Sequence, residues 1–290
     1  MTPRSSATLR SSAPLIVKRA GRRLSTGLGT ATAGLRVSPG FLLVGAQRCG
    51  TTSLYRALRQ HPGVRSAVFH KGVNYFDVNY GRGHRWYLGH FPLRPLRGAH
   101  GAPLAFDASG YYLWHPHAPA RIIRDLPRVR IVVMVRDPVE RAYSAYQHEL
   151  ARGFESESFE RALALEDSRV EPELARMLAD ESYQSQTHRH QAYRRRGHYA
   201  EQLSPFLEGL GRDRVHVLES ERFFTDPEPE FARLLAFLGL PAIMPATFDR
   251  YNARARAPLA ESLRAELAAH FAPHDDRLGE ILGAPPGWRT

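Results

Sequence analysis

The fold of this chain is decided by the stretch Phe41-Leu-Leu-Val-Gly-Ala-Gln-Arg-Cys-Gly-Thr-Thr-Ser-Leu-Tyr55. Its first four residues are a continuous apolar run that ends at Gly45, which is the pattern of a buried parallel strand. A helix is expected over residues 52–60, where apolar side chains recur at helical spacing before the breaker His61-Pro62-Gly63. The stretch therefore predicts a strand, a glycine-bounded loop and a helix.

The same strand-to-helix pattern occurs a second time. The apolar run 130–135 leads through Arg136-Asp137-Pro138 into a second predicted helix, which Pro138 suits as a first-turn residue and Asp137 as a cap. Further strands are expected at 104–106 and 215–218, with amphipathic helices at 231–238 and 259–271. This alternation predicts an α/β fold, in which a central parallel sheet is flanked by helices in three layers.

The segment Gly45–Thr52 has the spacing of a phosphate-binding loop, with two glycines bracketing four residues before a helix. Backbone N–H groups of such a loop converge on an anion, and the helix N-terminus adds partial positive charge. Nucleoside triphosphatases need a lysine at the position that Thr51 occupies, and the chain has only two lysines, Lys18 and Lys71. Taken alone, the loop could also be an ordinary strand-to-helix turn.

Together the two motifs resemble those of a known family. The stretch 41–55 resembles the 5′ phosphosulfate loop of the sulfotransferases, in particular the branch related to heparan sulfate sulfotransferases. The stretch 131–146 is similar to that family's 3′-phosphate segment, in which an arginine after a strand and a serine on the next helix hold the phosphate. The resemblance extends over about residues 41–282. It implies a P-loop-like fold, the donor 3′-phosphoadenosine 5′-phosphosulfate (PAPS) and no metal.

The resemblance also implies which residues bind the donor. Two come from the 3′-phosphate segment, one from the motif Gly197-His-Tyr199 and two from a late basic segment that closes over the nucleotide; the rest belong to the loop. The implied donor-binding residues are Gln47, Arg48, Cys49, Gly50, Thr51, Thr52, Ser53, Arg136, Ser144, Tyr199, Arg254 and Arg256.

The chain departs from the family pattern at two catalytic positions. Arg48 stands where the family usually has a lysine, so it can stabilise the leaving phosphate but cannot readily donate a proton. Gly72 stands where a glutamate acts as the base. Deprotonation of an acceptor hydroxyl still needs a group within hydrogen-bond reach. The candidates are His70, Asp77, Asp107 and His148, and Asp107 is slightly preferred because it follows a predicted strand.

Charge is distributed unevenly along the chain. The formal net charge is +11, yet no Asp or Glu precedes Asp77, and the rest of the chain is nearly neutral. Residues 1–38 are therefore expected to be a disordered basic leader, and residues 39–290 a sulfotransferase domain. We favour a solvated tail over a targeting segment. A nucleic-acid binder would carry its charge on a folded face, so that class is disfavoured.

Other observations bear on location and metal binding. No window is long and apolar enough to span a bilayer, which predicts a soluble protein. The single cysteine excludes an internal disulfide and is compatible with a cytoplasmic setting. The pairs His115-Pro-His117 and His188-Arg-His190 lack cysteine partners, so solvated surface is preferred over a metal site.

The polar segment 152–202 is expected to cover the site. The predicted reaction is transfer of a sulfuryl group from PAPS to a hydroxyl or amine, and by resemblance the acceptor is a carbohydrate or glycolipid. Two alternatives stay open. One is a P-loop kinase or nucleoside triphosphatase, which is disfavoured because Thr51 replaces the lysine and Asp137 is the only obvious candidate for a magnesium ligand. The other is a non-catalytic nucleotide-binding relative, suggested by Gly72.

Overall fold

A computed structural model describes residues 27–68, 71–94, 103–251 and 258–289. At its centre is a sheet of five parallel strands in the order β2-β3-β1-β4-β5. The strands are β1 Pro39–Gly45, β2 Val64–Ser66, β3 Leu104–Asp107, β4 Arg130–Val135 and β5 Val215–Glu219.

Helices flank this sheet. They are α1 Thr51–Gln60, α2 His84–Leu88, α3 Ala118–Asp125, α4 Pro138–Leu150, α5 Phe159–Ala179, α6 Gln186–His190, α7 Tyr199–Leu210, α8 Ser220–Thr225, α9 Pro227–Leu238 and α10 Glu261–Leu282. Short 3₁₀ turns lie at Ala33–Leu35, Tyr80–Arg82, Arg195–Gly197 and Arg212–Arg214. The predicted α/β architecture is confirmed.

The two central strands, β1 and β4, form the core of the sheet. They pair in parallel, with Leu42 opposite Ile131 and Leu43 opposite Val132, and these four side chains are buried. Burial on both faces explains why both strands are continuous apolar runs rather than alternating ones. Beyond β1 lie β3 and β2, and beyond β4 lies β5, so the chain order reverses direction between β1 and β4 and a topological switch point falls there. Ligands of open α/β sheets bind outside the carboxyl ends of strands at such a point.

The predicted elements occur where the sequence placed them, with longer ends. The largest difference is α10, which was expected to stop at Phe271 and instead continues through Pro273 to Leu282. Proline removes only one backbone hydrogen bond of the helix. Buried side chains on both sides of it, including Phe271 and Leu278, pack against the rest of the domain and hold the helix together.

Residues 27–38 do not form the disordered leader that their composition suggested. Ala33 is buried, Arg36 pairs with Leu93 in an isolated antiparallel bridge, and Gly29 approaches Gly89 so closely that a Cβ there would lie 2.4 Å from its carbonyl oxygen. Tertiary contacts therefore outweigh the low hydrophobicity of these residues, and the expectation of disorder is wrong for 27–38. Residues 1–26 lie outside the described residues. Within the described part of the chain, no helix is long and apolar enough to cross a membrane.

Candidate active site

The loop between β1 and α1 has the backbone conformation of an anion cradle. Arg48 and Gly50 both adopt positive φ values, of 70° and 85°, and Gly50 is the residue that caps the N-terminus of α1. A Cβ at Gly50 would lie 2.7 Å from the ring of Phe224, so glycine is required there on two grounds. This geometry brings the backbone of residues 47–50 and the N-terminus of α1 to one place, as phosphate binding demands.

The two strand-to-helix corners contact each other through Arg48. Its Nε donates a hydrogen bond to Oγ of Ser144, 3.0 Å away on the second turn of α4. Arg136, directly after β4, lies 3.5 Å from the carbonyl oxygen of Arg48 and 3.4 Å from the carboxylate of Glu140. The spacing of eight residues between Arg136 and Ser144 thus places both beside the loop.

Three predicted donor ligands support the loop from behind instead of facing the cavity. The hydroxyl of Tyr199 donates to the carbonyl oxygen of Arg136 at 2.8 Å and lies 3.6 Å from Sγ of Cys49. Both side chains are buried, and burial raises the pKa of the Cys49 thiol to about 11. Oγ of Ser53 likewise accepts a hydrogen bond from the backbone of Tyr251. These side chains fix the shape of the loop, which leaves only their backbone to contact a ligand.

A cavity of about 560 Å³ opens in front of the loop. Four loop residues line one wall, and six residues of the polar segment 152–202 line another, as expected of a segment that covers the site. None of the lining side chains is a carboxylate, whereas five are cationic. The lining residues are Gln47, Arg48, Thr51, Thr52, Lys71, Asn74, Gly110, Tyr111, His148, Arg152, Phe154, Gln186, Arg189, His190 and Arg196.

Lys71 supplies the ammonium group that the loop sequence lacks at position 51. Its Nζ lies 3.0 Å from Oγ1 of Thr51 and 3.0 Å from Oγ1 of Thr52. Burial lowers the pKa of Lys71 to about 8. Sequence reasoning would treat such a lysine as a surface residue, and no spacing rule connects position 71 to the loop.

The preferred base, Asp107, does not reach the cavity. It is fully buried, and its Oδ1 accepts hydrogen bonds from the backbone N–H of Val73 and from Oγ of Ser109, both at 2.9 Å. Its Oδ2 accepts from the hydroxyls of Tyr112 at 2.7 Å and Tyr87 at 3.4 Å. Asp107 therefore holds the segment after β2 against the end of β3, which corrects its assignment as the base.

The other three candidates for the base lie in different surroundings. Asp77 is buried away from the cavity lining, and burial raises its pKa to about 7. His148 lines the cavity. His70 lies outside the described residues, as do Arg254 and Arg256. At Gly72 a Cβ would lie 2.7 Å from the carbonyl oxygen of Ala108, so the position cannot hold the family's glutamate without backbone movement.

The structure adds a pair that the sequence analysis did not single out. Nδ1 of His190 lies 3.1 Å from Oε2 of Glu149, and the amide of Gln47 donates to Oε1 of the same carboxylate at 2.8 Å. Arg152 also pairs with Glu149 at 3.1 Å. His190 and Glu149 are 41 positions apart in the sequence, so no local pattern connects them. The only sequence signal for His190 was its position in the segment expected to cover the site.

Histidines are the candidate metal ligands in the described part of the chain. The pairs noted in the sequence do not form the solvated surface expected of them, because His115, His188 and His190 are buried. His188 stacks on Trp114 and His190 on Phe154, which separates the rings of that pair. A group of three histidines lies elsewhere, between α7 and α10: His198, His270 and His274. However, the rings of His198 and His274 stack in parallel, 3.6 Å apart. Their in-plane lone pairs therefore do not converge on one ion.

Comparison with known proteins identifies the family. The model of the sulfotransferase domain matches residues 38–256, which is most of the chain and contains both corners. The chain belongs to the sulfotransferase family. The reaction of sulfotransferases is PAPS-dependent sulfuryl transfer.

Individual relatives within the sulfotransferases agree with this. Heparan sulfate glucosamine 3-O-sulfotransferase 3B1 of Mus musculus is 26% identical over 280 residues, covering 88% of this chain and 66% of the relative. Heparan sulfate glucosamine 3-O-sulfotransferase 6 of the same species is 31% identical, covering 76% and 58%. The chain thus spans about two thirds or less of these curated relatives.

A sulfotransferase of known structure shares the whole fold. The crystal structure of the sulfotransferase from Alicyclobacillus acidocaldarius is 30% identical with a TM-score of 0.70, and the match covers 88% of this chain and all of that one. The parallel sheet and the two corners at its carboxyl edge are therefore the sulfotransferase architecture.

Proposed function

We propose that this chain transfers a sulfuryl group from PAPS to a hydroxyl or amine of an anionic carbohydrate. The observation that carries the proposal is the 3.0 Å hydrogen bond between Arg48 and Ser144, which brings the loop after β1 and the helix after β4 to the same edge of the sheet. A donor with a 5′ phosphosulfate and a separate 3′ phosphate needs two such adjoining anion sites.

Each corner takes one end of the donor in this proposal. The loop backbone of residues 47–53 and the side chains of Thr51 and Thr52 contact the 5′ phosphosulfate. Arg136 and Ser144 hold the 3′ phosphate through charge-assisted hydrogen bonds. When the phosphate binds, Arg136 exchanges its ion pair with Glu140 for the ligand. The late basic residues Arg254 and Arg256 remain predicted closing contacts, and no metal takes part.

The chemical step is supported by positioning and charge. The acceptor oxygen or nitrogen attacks sulfur in line, the bond from sulfur to the 5′ phosphate oxygen breaks, and Arg48 and Lys71 stabilise the charge that develops on that oxygen. Lys71 can also donate a proton, because its pKa of about 8 lies near neutrality, which Arg48 cannot do. The lysine missing from the Arg48 position is thereby replaced from another segment.

The acceptor is proposed from the charge of the cavity. Beyond the loop, Arg152, Arg189 and Arg196 line its far wall, with Tyr111 beside two of them at 5.3 and 5.8 Å. Guanidinium groups beside an aromatic ring suit a sugar that carries carboxylate or sulfate groups. The names of the relatives, which state heparan sulfate as their substrate, point the same way.

A kinase is disfavoured by the role of Asp137. Its carboxylate accepts hydrogen bonds from the N–H groups of Val139 and Glu140 as the cap of α4. Thermal-shift titration separates the two functions, since 3′,5′-diphosphoadenosine should stabilise this protein without magnesium, and ATP with magnesium should not.

Activity is then measured as transfer of labelled sulfate from PAPS. Heparosan, an unsulfated carboxylated polysaccharide, should be sulfated, and neutral dextran should not. Nucleotide binding without transfer to any acceptor would instead support the non-catalytic relative. A cytoplasmic location also stays a prediction, which fractionation of cells that produce the protein would test.

A further inference from the structure

A histidine and a buried carboxylate form a second polar centre on the wall of the cavity. His190 ends α6 and lines the cavity, while Glu149 lies behind it on α4 and is fully buried. The atoms in contact are Nδ1 of the ring and Oε2 of the carboxylate, 3.1 Å apart. Neither residue belongs to the motifs from which the family was recognised.

Glu149 is held as a carboxylate. Burial alone would raise its pKa, but the hydrogen bond that His190 donates, together with the charge of Arg152, lowers the pKa below its usual value. An ionised carboxylate only accepts hydrogen bonds, so the ring must donate from Nδ1. The neutral tautomer of His190 therefore has its lone pair on Nε2.

Stacking fixes the orientation of the ring. Phe154 lies parallel to His190 with 3.9 Å between ring centroids, and the guanidinium of Arg152 lies 4.6 Å from the centre of the Phe154 ring. With Nδ1 engaged and one face covered, Nε2 is the polar atom that His190 offers to a ligand in the cavity.

We infer that His190 is the general base of the reaction and that Glu149 positions it. The inference rests on the proposed function and deepens it, because the family's glutamate position is Gly72 and has no room for a side chain. Nε2 takes the proton from the acceptor as its oxygen bonds to sulfur and the bond from sulfur to the 5′ phosphate breaks. Glu149 stabilises the resulting imidazolium, which later loses its proton to solvent.

The arrangement also ties the base to the donor loop. Gln47 donates to Oε1 of Glu149 at 2.8 Å, so one carboxylate holds both the loop that binds the sulfuryl group and the ring that activates the acceptor. Glu149 thereby fixes the distance between His190 and the donor loop. This favours a reactive geometry, because misplacement of a catalytic group by about 1 Å can cost about 100-fold in rate.

The test uses the full chain with PAPS and heparosan. His190→Asn should lower kcat by about 100-fold or more and leave the affinity for 3′,5′-diphosphoadenosine unchanged, and added imidazole should restore part of the activity to His190→Ala. Glu149→Gln should lower kcat with little change in KM. His84→Asn, on α2 and away from the cavity lining, is the control and should retain full kcat.

The outcomes separate the two proposals. If the wild-type protein neither binds the nucleotide nor transfers sulfate, the proposed function itself fails. If it transfers sulfate and His190→Asn keeps kcat within about threefold, or if His148→Asn alone loses activity, the assignment of the base is overturned. Should the variants fold poorly, diethyl pyrocarbonate treatment of the wild-type protein decides, because inactivation must follow modification of His190 in mass spectra. Inactivation that follows modification of another histidine would refute the assignment of His190 as the base.

Discussion

The ammonium group of Lys71 lies 3.0 Å from Oγ1 of Thr51, the residue that occupies the lysine position of a triphosphatase loop. The ammonium group missing from position 51 is therefore supplied by the segment after β2, which crosses in front of α1. In this way a loop without lysine retains a cation at the point where an outer phosphate or sulfuryl group would sit.

Lys71→Met is expected to separate stability from activity. The pKa of Lys71 is about 8 in the folded protein and about 10.4 in the unfolded chain. Keeping Lys71 protonated in the folded protein therefore lowers the free energy of unfolding below pH 8, by at most roughly 3 kcal/mol. This cost becomes smaller as the pH rises from 8 toward the unfolded pKa. The variant should thus be more stable than wild type at pH 7, by an amount that shrinks at pH 10, yet lose sulfate transfer by about 100-fold. Urea unfolding at both pH values tests the first part. Arg65→Met, an exposed cation, should show no such pH dependence, and a gain independent of pH would contradict the argument.

Arg48 and Arg136 should differ in kinetics. Arg48→Ala removes charge beside the reacting bond, so kcat should fall by about 100-fold to 1,000-fold. Arg136→Ala removes a charged hydrogen-bond donor from the 3′ phosphate, so the Kd for 3′,5′-diphosphoadenosine should rise about 10-fold to 100-fold. Calorimetry and initial rates measure the two effects. Arg277→Ala, on the surface of α10, is the control, and wild-type values for both test variants would reject the assigned roles.

Asp107→Asn is expected to weaken the fold without removing the base. The carboxylate accepts four hydrogen bonds in a fully buried setting, and an amide cannot accept all of them. The free energy of unfolding should fall by about 1–3 kcal/mol, while the folded variant keeps kcat within a few-fold. Equal stability with a large loss of kcat would return Asp107 to the role of base.

Gly72→Glu is not expected to restore the family's catalytic carboxylate. Even Gly72→Ala should destabilise the protein by about 1–3 kcal/mol, because its Cβ would collide with the backbone of Ala108 and with Ser109. Gly81→Ala is the matched control, since no atom lies within 4 Å of a Cβ built there. Thermal unfolding of the three variants measures the effect, and an active, stable Gly72→Glu protein would disprove it.

The sequence predicted the parts of this molecule that depend on local pattern. Apolar runs located β1 and β4, Asp137 and Pro138 located the start of α4, and two ordered motifs located the adjoining corners. It could not predict groups that meet only through the tertiary fold. Lys71 reaches Thr51 from 20 residues away, and His190 meets Glu149 across 41 residues.

The expected and observed positions of a side chain differ where the same sequence signal fits both a site residue and a core residue. Asp107 stands at a strand end, as site residues often do, but its carboxylate turns into the core. Tyr199 and Cys49 carry side chains able to contact a ligand, yet they pack behind the loop and contact each other. Burial, which decides between the alternatives in each case, is set by neighbours distant in sequence.

The crowding at Gly72 has an evolutionary consequence. A chain whose backbone closes over this position cannot acquire the family's carboxylate by a single codon change, because the substituted protein would be destabilised before it became useful. Any later improvement in turnover must then arise at other places around the cavity, so descendants of this chain should vary there while keeping glycine fixed.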